Sequence, residues 1–228
     1  MESEGMTRVV AVNGSPNMEK GATERILKPF LEGMKEGGAE VDLLYAKRLD
    51  IKPCKGELYC WNTNPGKCHI KDDMQSIYPL LKRADILVLA TPVYIPLPGE
   101  MQNFVNRLVP LLDPLLTKRN GRTRARFRSD VKIRKIVLVS TGGWYEKGNF
   151  GTVLRIAKEV ANDASVQFVG ALLRPQAQLL ARGGPKADRV LEAAKESGRE
   201  LVATGRISKR LIEAVGKPLA REEKFWKT

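Results

Sequence analysis

Val9-Val10-Ala11-Val12-Asn13-Gly14-Ser15-Pro16-Asn17-Met18-Glu19-Lys20-Gly21-Ala22-Thr23 reads as a strand, a turn and the start of a helix. Its first four residues form an apolar, β-branched-rich run without polar alternation, the pattern of a strand buried on both faces. Asn13-Gly14 ends that run. Ile26, Leu27, Phe30, Leu31 and Met34 then recur at helical spacing, with Pro29 removing one amide donor inside the helix. Working outward, residues 86–90 and 136–139 repeat the buried-strand pattern, and residues 41–45 and 166–173 add two more strands. Helical periodicity fills the intervals. Asp72 caps a helix carrying Met74, Ile77, Leu80 and Leu81, and residues 99–112 present Met101, Phe104, Val105, Leu108 and Leu112. Further helices are expected over 150–161 and over 186–204, the latter opened by Gly184-Pro185. Such alternation predicts an α/β fold with a five-stranded parallel sheet and helices on both faces.

Composition narrows the class. The 228 residues carry a net charge of +13 and are 43% hydrophobic, a globular profile. A chain of this length buries roughly 70% of its unfolded surface, enough for one domain without disulfide staples. One domain over residues 1–228 is expected, with its core at about 7–205. Residues 206–228 then form a short amphipathic helix (Ile207, Leu211, Ile212, Val215) and a tail ending Phe225-Trp226. Apolar residues there predict docking, with a second subunit one candidate surface. The most apolar stretch, residues 86–99, is broken by Pro92, Pro96 and Pro98 and falls short of the roughly 20 residues of a membrane helix. The acidic Met1-Glu2-Ser3-Glu4-Gly5 lacks the basic region and apolar stretch of an export signal, so a cytoplasmic location is expected. His69 is the sole histidine, which excludes a His-rich metal centre and weakens hydrolase readings. The three cysteines, Cys54, Cys60 and Cys68, lie in one short segment and pose the question of a local metal or cluster site.

Open α/β sheets bind ligands at the carboxyl ends of their strands, which draws attention to the loop after the first strand. It matches neither G-x-G-x-x-G nor a Walker loop, because six residues separate Gly14 from Gly21 and no Lys-Ser/Thr follows. Ser15 and Thr23 offer hydroxyls, and the following helix offers unpaired amides and a positive dipole end, a combination suited to a monophosphate. A plain strand-to-helix turn with a Ser or Thr cap is the competing reading.

Asn13-Gly14-Ser15-Pro16, the following Gly21 and Thr23, Ala90-Thr91-Pro92-Val93-Tyr94 and Met101-Gln102-Asn103-Phe104-Val105-Asn106-Arg107 together resemble the NADPH-dependent FMN reductase and iron-sulfur flavoprotein superfamily. The resemblance spans about residues 7–205. It implies a flavodoxin-like, doubly wound sheet of order 2-1-3-4-5 and non-covalently bound FMN. It also implies NAD(P)H as co-substrate, with reducing equivalents passed to a quinone, free flavin or electron carrier, and a homodimer or homotetramer. Ser15, Pro16, Asn17, Gly21, Ala22 and Thr23 would then hold the FMN phosphate. Asn17 stands where the family commonly has Arg, and Ala22 where it has Asn, so the load shifts to Ser15, Thr23 and backbone amides, with Lys20 a substitute charge.

Pro92, Val93 and Tyr94 would line the flavin ring, as would the loop Thr141-Gly142-Gly143-Trp144, whose glycines let backbone approach a ligand closely. Tyr94 offers a ring face for stacking, and Trp144 serves either the flavin or packing. No catalytic side chain is expected, because the flavin carries the chemistry.

Cluster-bearing relatives have C-x2-C-x2-C-x4–7-C. Here Cys54, Cys60 and Cys68 take three places and Glu57 the second, so the segment resembles a degenerate Fe-S site. No metal is the favoured outcome, against a three-Cys cluster or zinc held with His69 or Glu57. An iron-sulfur electron carrier is thus the enzyme-class rival, and a non-catalytic binding or assembly protein the other.

Between Lys118 and Lys135, nine cationic residues face Asp130 alone. A solvated loop, an intersubunit patch or a lure for NAD(P)H phosphates is expected there. Specific nucleic-acid binding is disfavoured, since Phe127 is the segment's only aromatic and no nucleic-acid motif accompanies it.

Overall fold

The computed structural model describes residues 6–225. In chain order its elements begin β1 (Arg8–Asn13), α1 (Ala22–Glu36), β2 (Glu40–Tyr45), α2 (Tyr59–Asn62), α3 (Met74–Arg83), β3 (Ile86–Pro92) and α4 (Gly99–Asn106). They continue β4 (Leu112–Arg119), β5 (Arg122–Phe127), β6 (Lys135–Thr141), α5 (Gly151–Ala164) and β7 (Gln167–Arg174). The chain then forms α6 (Pro185–Thr204), α7 (Lys209–Val215) and α8 (Glu222–Phe225).

Five strands pair in parallel in the order β2-β1-β3-β6-β7, which is 2-1-3-4-5 once the separate β4–β5 pair is left out of the count. Successive residues of β1 feed opposite faces, as a pleated strand requires. Val9 and Ala11 join α1, α6 and α7 on one side, while Val10 and Val12 join α3, α4 and α5 on the other. Each fully buried aliphatic side chain in these layers contributes roughly 1.5–3 kcal/mol relative to exposure. Asn13 stands opposite Tyr45 and Ala90, and Thr141 stands opposite Pro92 and Arg174. The carboxyl ends of all five strands therefore reach one edge, and the loops that follow them converge there.

Two expectations require correction. The helix expected over 99–112 stops at Asn106, and a 3₁₀ turn follows at Val109–Leu111. Pro110 supplies no amide to continue the ladder, and the Arg107 side chain turns inward to pair with Asp72.

The basic stretch is not a solvated loop either, because most of it is the β4–β5 hairpin and its flank. Asn120 (φ 50°) and Gly121 (φ 74°) close the hairpin in the left-handed conformation a two-residue turn demands. Its arginines are already partnered within the chain. Arg124 bonds Asp163 and Glu159, both at 2.6 Å, and Arg119 donates to carbonyls at the end of α5. These acids lie well beyond the segment in sequence, so counting charges within it overstated its field. Any DNA retained here should be held without sequence preference and released steeply as salt rises, since only phosphate neutralisation would hold it. Gel shifts across a salt series test this, and sequence-selective retention at high salt would contradict it.

The C-terminal segment docks on its own chain. Ile207, Leu211 and Val215 bury into the α1–α6 side of the core, and the Phe225 ring lies 6.1 Å from that of Tyr145. Trp226 and the acidic residues 1–5 lie outside the described residues. Among the described residues no helix is long and apolar enough to cross a membrane.

Candidate functional site

The loop after β1 is shaped by a buried polar chain. Asn13 Oδ1 accepts the Ser15 amide at 2.8 Å, an Asx turn, while Asn13 Nδ2 donates to Glu24 at 2.9 Å. Glu24 also accepts from the Tyr45 hydroxyl at 3.2 Å. Burial, reinforced by the Glu24 carboxylate, pushes the Tyr45 phenol up to about 12. The Ser15 hydroxyl is buried and accepts the Asn17 amide at 3.3 Å.

Gly21 is required by close approach, because a Cβ there would sit 2.5 Å from Ser15 Oγ. It also leaves the N-terminus of α1 without a side-chain cap, so the first-turn amides face the loop with no side-chain acceptor among the described residues. Pro16 and Ala22 flank this cradle half-buried, while Asn17 and Lys20 are exposed on its rim.

Thr23 ties the cradle to the next strand end. Its hydroxyl shares a hydrogen bond of 2.8 Å with that of Thr141, at the end of β6, and both residues are buried. Thr141 O in turn accepts the Val93 amide at 2.8 Å, which fixes the chain leaving β3. Beyond this junction lies a cavity of about 370 Å³ lined by Val93, Tyr94, Gly142, Gly143, Trp144 and Phe150, among others. Tyr94 is 52% exposed and Trp144 67%, so two large aromatic faces border the opening. Such an arrangement can stack a planar ring and place an anion at a helix start. The cradle residues do not line this cavity, and the Thr23–Thr141 bond is what joins the two halves.

The cysteine segment is arranged differently. Cys54 is exposed, Cys60 and Cys68 are half-buried, and the Cys60 thiol is pushed up to about 11, chiefly by burial and then by its cysteine neighbours. His69 Nδ1 lies 3.3 Å from Glu57. Among the described residues no three His, Cys, Asp or Glu side chains are gathered so as to hold a metal ion. As arranged, Cys54, Glu57, Cys60 and Cys68 do not fit a cluster.

The sequence reading used Asn13 only as the residue that ends the strand and opens the motif, and passed over its side-chain role and Glu24, although an Asn directly before a turn glycine is an Asx-turn signal. It also passed over Gln176 and Gln178, for which the sequence carries no local signal.

Residues 7–150, well over half of the chain, match the family described as NADPH-dependent FMN reductase, and the chain belongs to that family. Among curated relatives, an iron-sulfur flavoprotein of Archaeoglobus fulgidus is 34% identical over 102 residues, covering 45% of this chain and 47% of the relative. An iron-sulfur flavoprotein of Methanosarcina thermophila is 32% identical over 115 residues, covering 50% and 56%. The chain thus spans about half the length of the curated relatives it matches. Among solved structures, an NAD(P)H:quinone oxidoreductase from Methanothermobacter marburgensis superposes with a TM-score of 0.61 at 17% identity, over 86% of this chain and 98% of that one. At that identity the likeness is one of fold.

Proposed function

We propose that the protein binds FMN non-covalently at the carboxyl edge of its sheet and acts as an NAD(P)H-dependent oxidoreductase. A quinone, a free flavin or an electron carrier is its acceptor. The observation that carries the reading is the Thr23–Thr141 junction, which sets an uncapped helix start beside a cavity bordered by Tyr94 and Trp144. Membership of the FMN reductase family supports it.

In this reading Ser15, Thr23 and the amides around Gly21 and Ala22 hold the phosphate. Each of the two hydroxyls keeps unused hydrogen-bonding capacity beyond its bond within the chain. Pro92 and Val93 position Tyr94, and Gly142 and Gly143 admit the ring edge close to backbone. Trp144 covers one side and excludes water. Bound FMN supplies the electron chemistry, so no side chain here has to act as acid or base.

The chain serves as one FMN-binding domain in the cytoplasm, and the exposed Tyr94, Ile95, Leu115 and Leu116 favour a homodimer or homotetramer that covers them. The names of the curated relatives favour an iron-sulfur electron carrier as the second reading, and near-stoichiometric iron and sulfide after anaerobic reconstitution would select it.

FMN titration followed by anaerobic mixing tests the proposal. NADH or NADPH should bleach the oxidised flavin band faster than it bleaches free FMN, and a quinone should restore it. Replacing Ser15 and Thr23 together by Ala removes hydrogen bonds to a charged group worth roughly 1.5–3 kcal/mol each, so FMN should bind at least about tenfold more weakly while riboflavin is spared. Equal affinity of the double variant for FMN would refute the phosphate assignment. Bound FMN that neither nucleotide reduces would refute the oxidoreductase.

A further inference from the structure

The loop after β7 grips two parts of the molecule at once. Toward the candidate ring site, Arg174 O accepts the Gly142 amide at 3.0 Å, and the Ala177 amide donates to Gly142 O at 3.0 Å. Gln178 Nε2 donates to Gly143 O at 2.9 Å, and the Gln176 amide donates to Trp144 O at 2.9 Å. Residues 174–178 therefore hold the Gly142 amide and three consecutive carbonyls of the loop that borders the cavity.

Toward the C-terminus, side chains of the same residues hold the segment after α7. Gln176 Oε1 accepts the amides of Leu219 and Ala220 at 2.8 and 3.2 Å, and its Nε2 donates to Ala220 O at 3.3 Å. Arg174 Nη1 donates to Val215 O and Lys217 O, both at 2.7 Å. From there the segment runs on to α8, which sets Phe225 against Tyr145, the residue after Trp144.

Two costly features show how tightly this clip is specified. Gln176 adopts the left-handed conformation (φ 53°), which a non-glycine residue keeps only when its surroundings over-determine it. Arg174 is a completely buried guanidinium with backbone carbonyls as its acceptors and, among the described residues, no partner for Nη2, and burial draws it down to about 10. An apolar side chain would fill such a place without the desolvation cost, so what the arginine adds is directional bonding to the end of α7.

We propose that Arg174, Gln176 and Gln178 are positioning residues for the ring side of the site, coupling the docked C-terminal segment to the conformation of Gly142–Trp144. The role rests on the FMN reading above. None of the three residues falls within the 7–150 stretch that matches the family.

The test uses the full chain with Gln176→Ala, Arg174→Met and the exposed Gln178→Ala, the last removing one bond at the surface without opening the interior. FMN and riboflavin affinities are measured by fluorescence, and hydrogen exchange at the Gly142 amide is followed without ligand. Gln176→Ala should weaken FMN and riboflavin equally, by about fivefold or more, and speed Gly142 exchange, while amides in β1 keep their protection. Gln178→Ala should move both readouts in the same direction by less. Wild-type affinity and unchanged Gly142 exchange in Gln178→Ala overturn the coupling and leave the FMN site standing, whether or not Gln176→Ala folds. Loss of FMN affinity with riboflavin spared would place the effect at the phosphate cradle and also overturn it. A wild-type protein that binds neither ligand overturns the FMN reading and the positioning role with it.

Discussion

Asp72→Asn should destabilise the protein by about 3–5 kcal/mol at neutral pH, because it strands the buried Arg107 guanidinium without its counter-ion. The pair is bidentate, Nη1 to Oδ2 at 2.5 Å and Nη2 to Oδ1 at 3.1 Å, and both side chains are inaccessible to solvent. Among the described residues Arg107 Nε already lacks a partner, and the acceptor that would remain, Lys52 O, carries no charge. The two residues also clamp the chain just ahead of the cysteine segment. Asp72 accepts the Lys52 amide at 3.0 Å, and Arg107 donates to Lys52 O at 2.8 Å.

The pH dependence has a definite sign. Burial acts to raise the Asp72 carboxyl, but the bonds from Arg107 and the Lys52 amide outweigh it and hold the group below the usual carboxylate range. A carboxyl depressed in the folded state stabilises above its unfolded value, about 3.9, and that contribution is lost as pH falls through the folded value. The stability gap between wild type and Asp72→Asn should therefore be full at pH 7 and narrow below about pH 4. Urea midpoints over this range measure it. A gap that stays constant down to pH 2.5 would show that the pair contributes nothing as an ion pair.

Gly198→Ala should cost about 3 kcal/mol, and Gly33→Ala a similar amount, because α1 and α6 meet backbone to backbone. A Cβ on Gly198 would lie 1.9 Å from Phe30 O, and one on Gly33 1.8 Å from Lys195 O. Neither overlap can be relieved by a rotamer change, so the helices must separate and loosen the layer of Phe30, Met34, Ala194 and Leu201 between them. The gain in helix propensity from Gly to Ala, about 1 kcal/mol, recovers only part of this. For a chain of this size the midpoint of thermal unfolding should fall by roughly 6–12 °C. Gly151→Ala, where a Cβ would meet no other part of the described residues within 4 Å, serves as the control and should leave the midpoint level or raise it.

Where the sequence was legible, one short-range rule settled the matter. Continuous apolar, β-branched-rich runs at 9–12, 86–90 and 136–139 are too short for helices and suit strands buried on both faces, and each became one. Periodicity located α1, α3, α5 and α6 to within a few residues, since an amphipathic face is written into neighbouring positions. Asn120-Gly121, followed by the alternation Thr123 to Phe127, was an equally plain hairpin signal. It was masked because the cationic residues invited a reading by charge rather than by period.

The chain's own order of residues determined the α/β class, the strand order through its family motifs, and the placing of Ser15, Thr23, Tyr94 and Gly142 at strand ends. Tertiary structure alone decided what those residues touch. Thr23 meets Thr141 across 118 positions, Arg124 finds Asp163 across 39, and Arg174 reaches Val215 across 41. Local propensity is a sum over neighbours along the chain and contains no term for such pairs. The same limit explains why the cysteine spacing suggested a ligand set that the fold does not gather, and why a buried arginine without a carboxylate left no trace in the sequence. Metal geometry and the solvation of a charge depend on distances in space, and those exist only once the sheet and its two helical layers have closed.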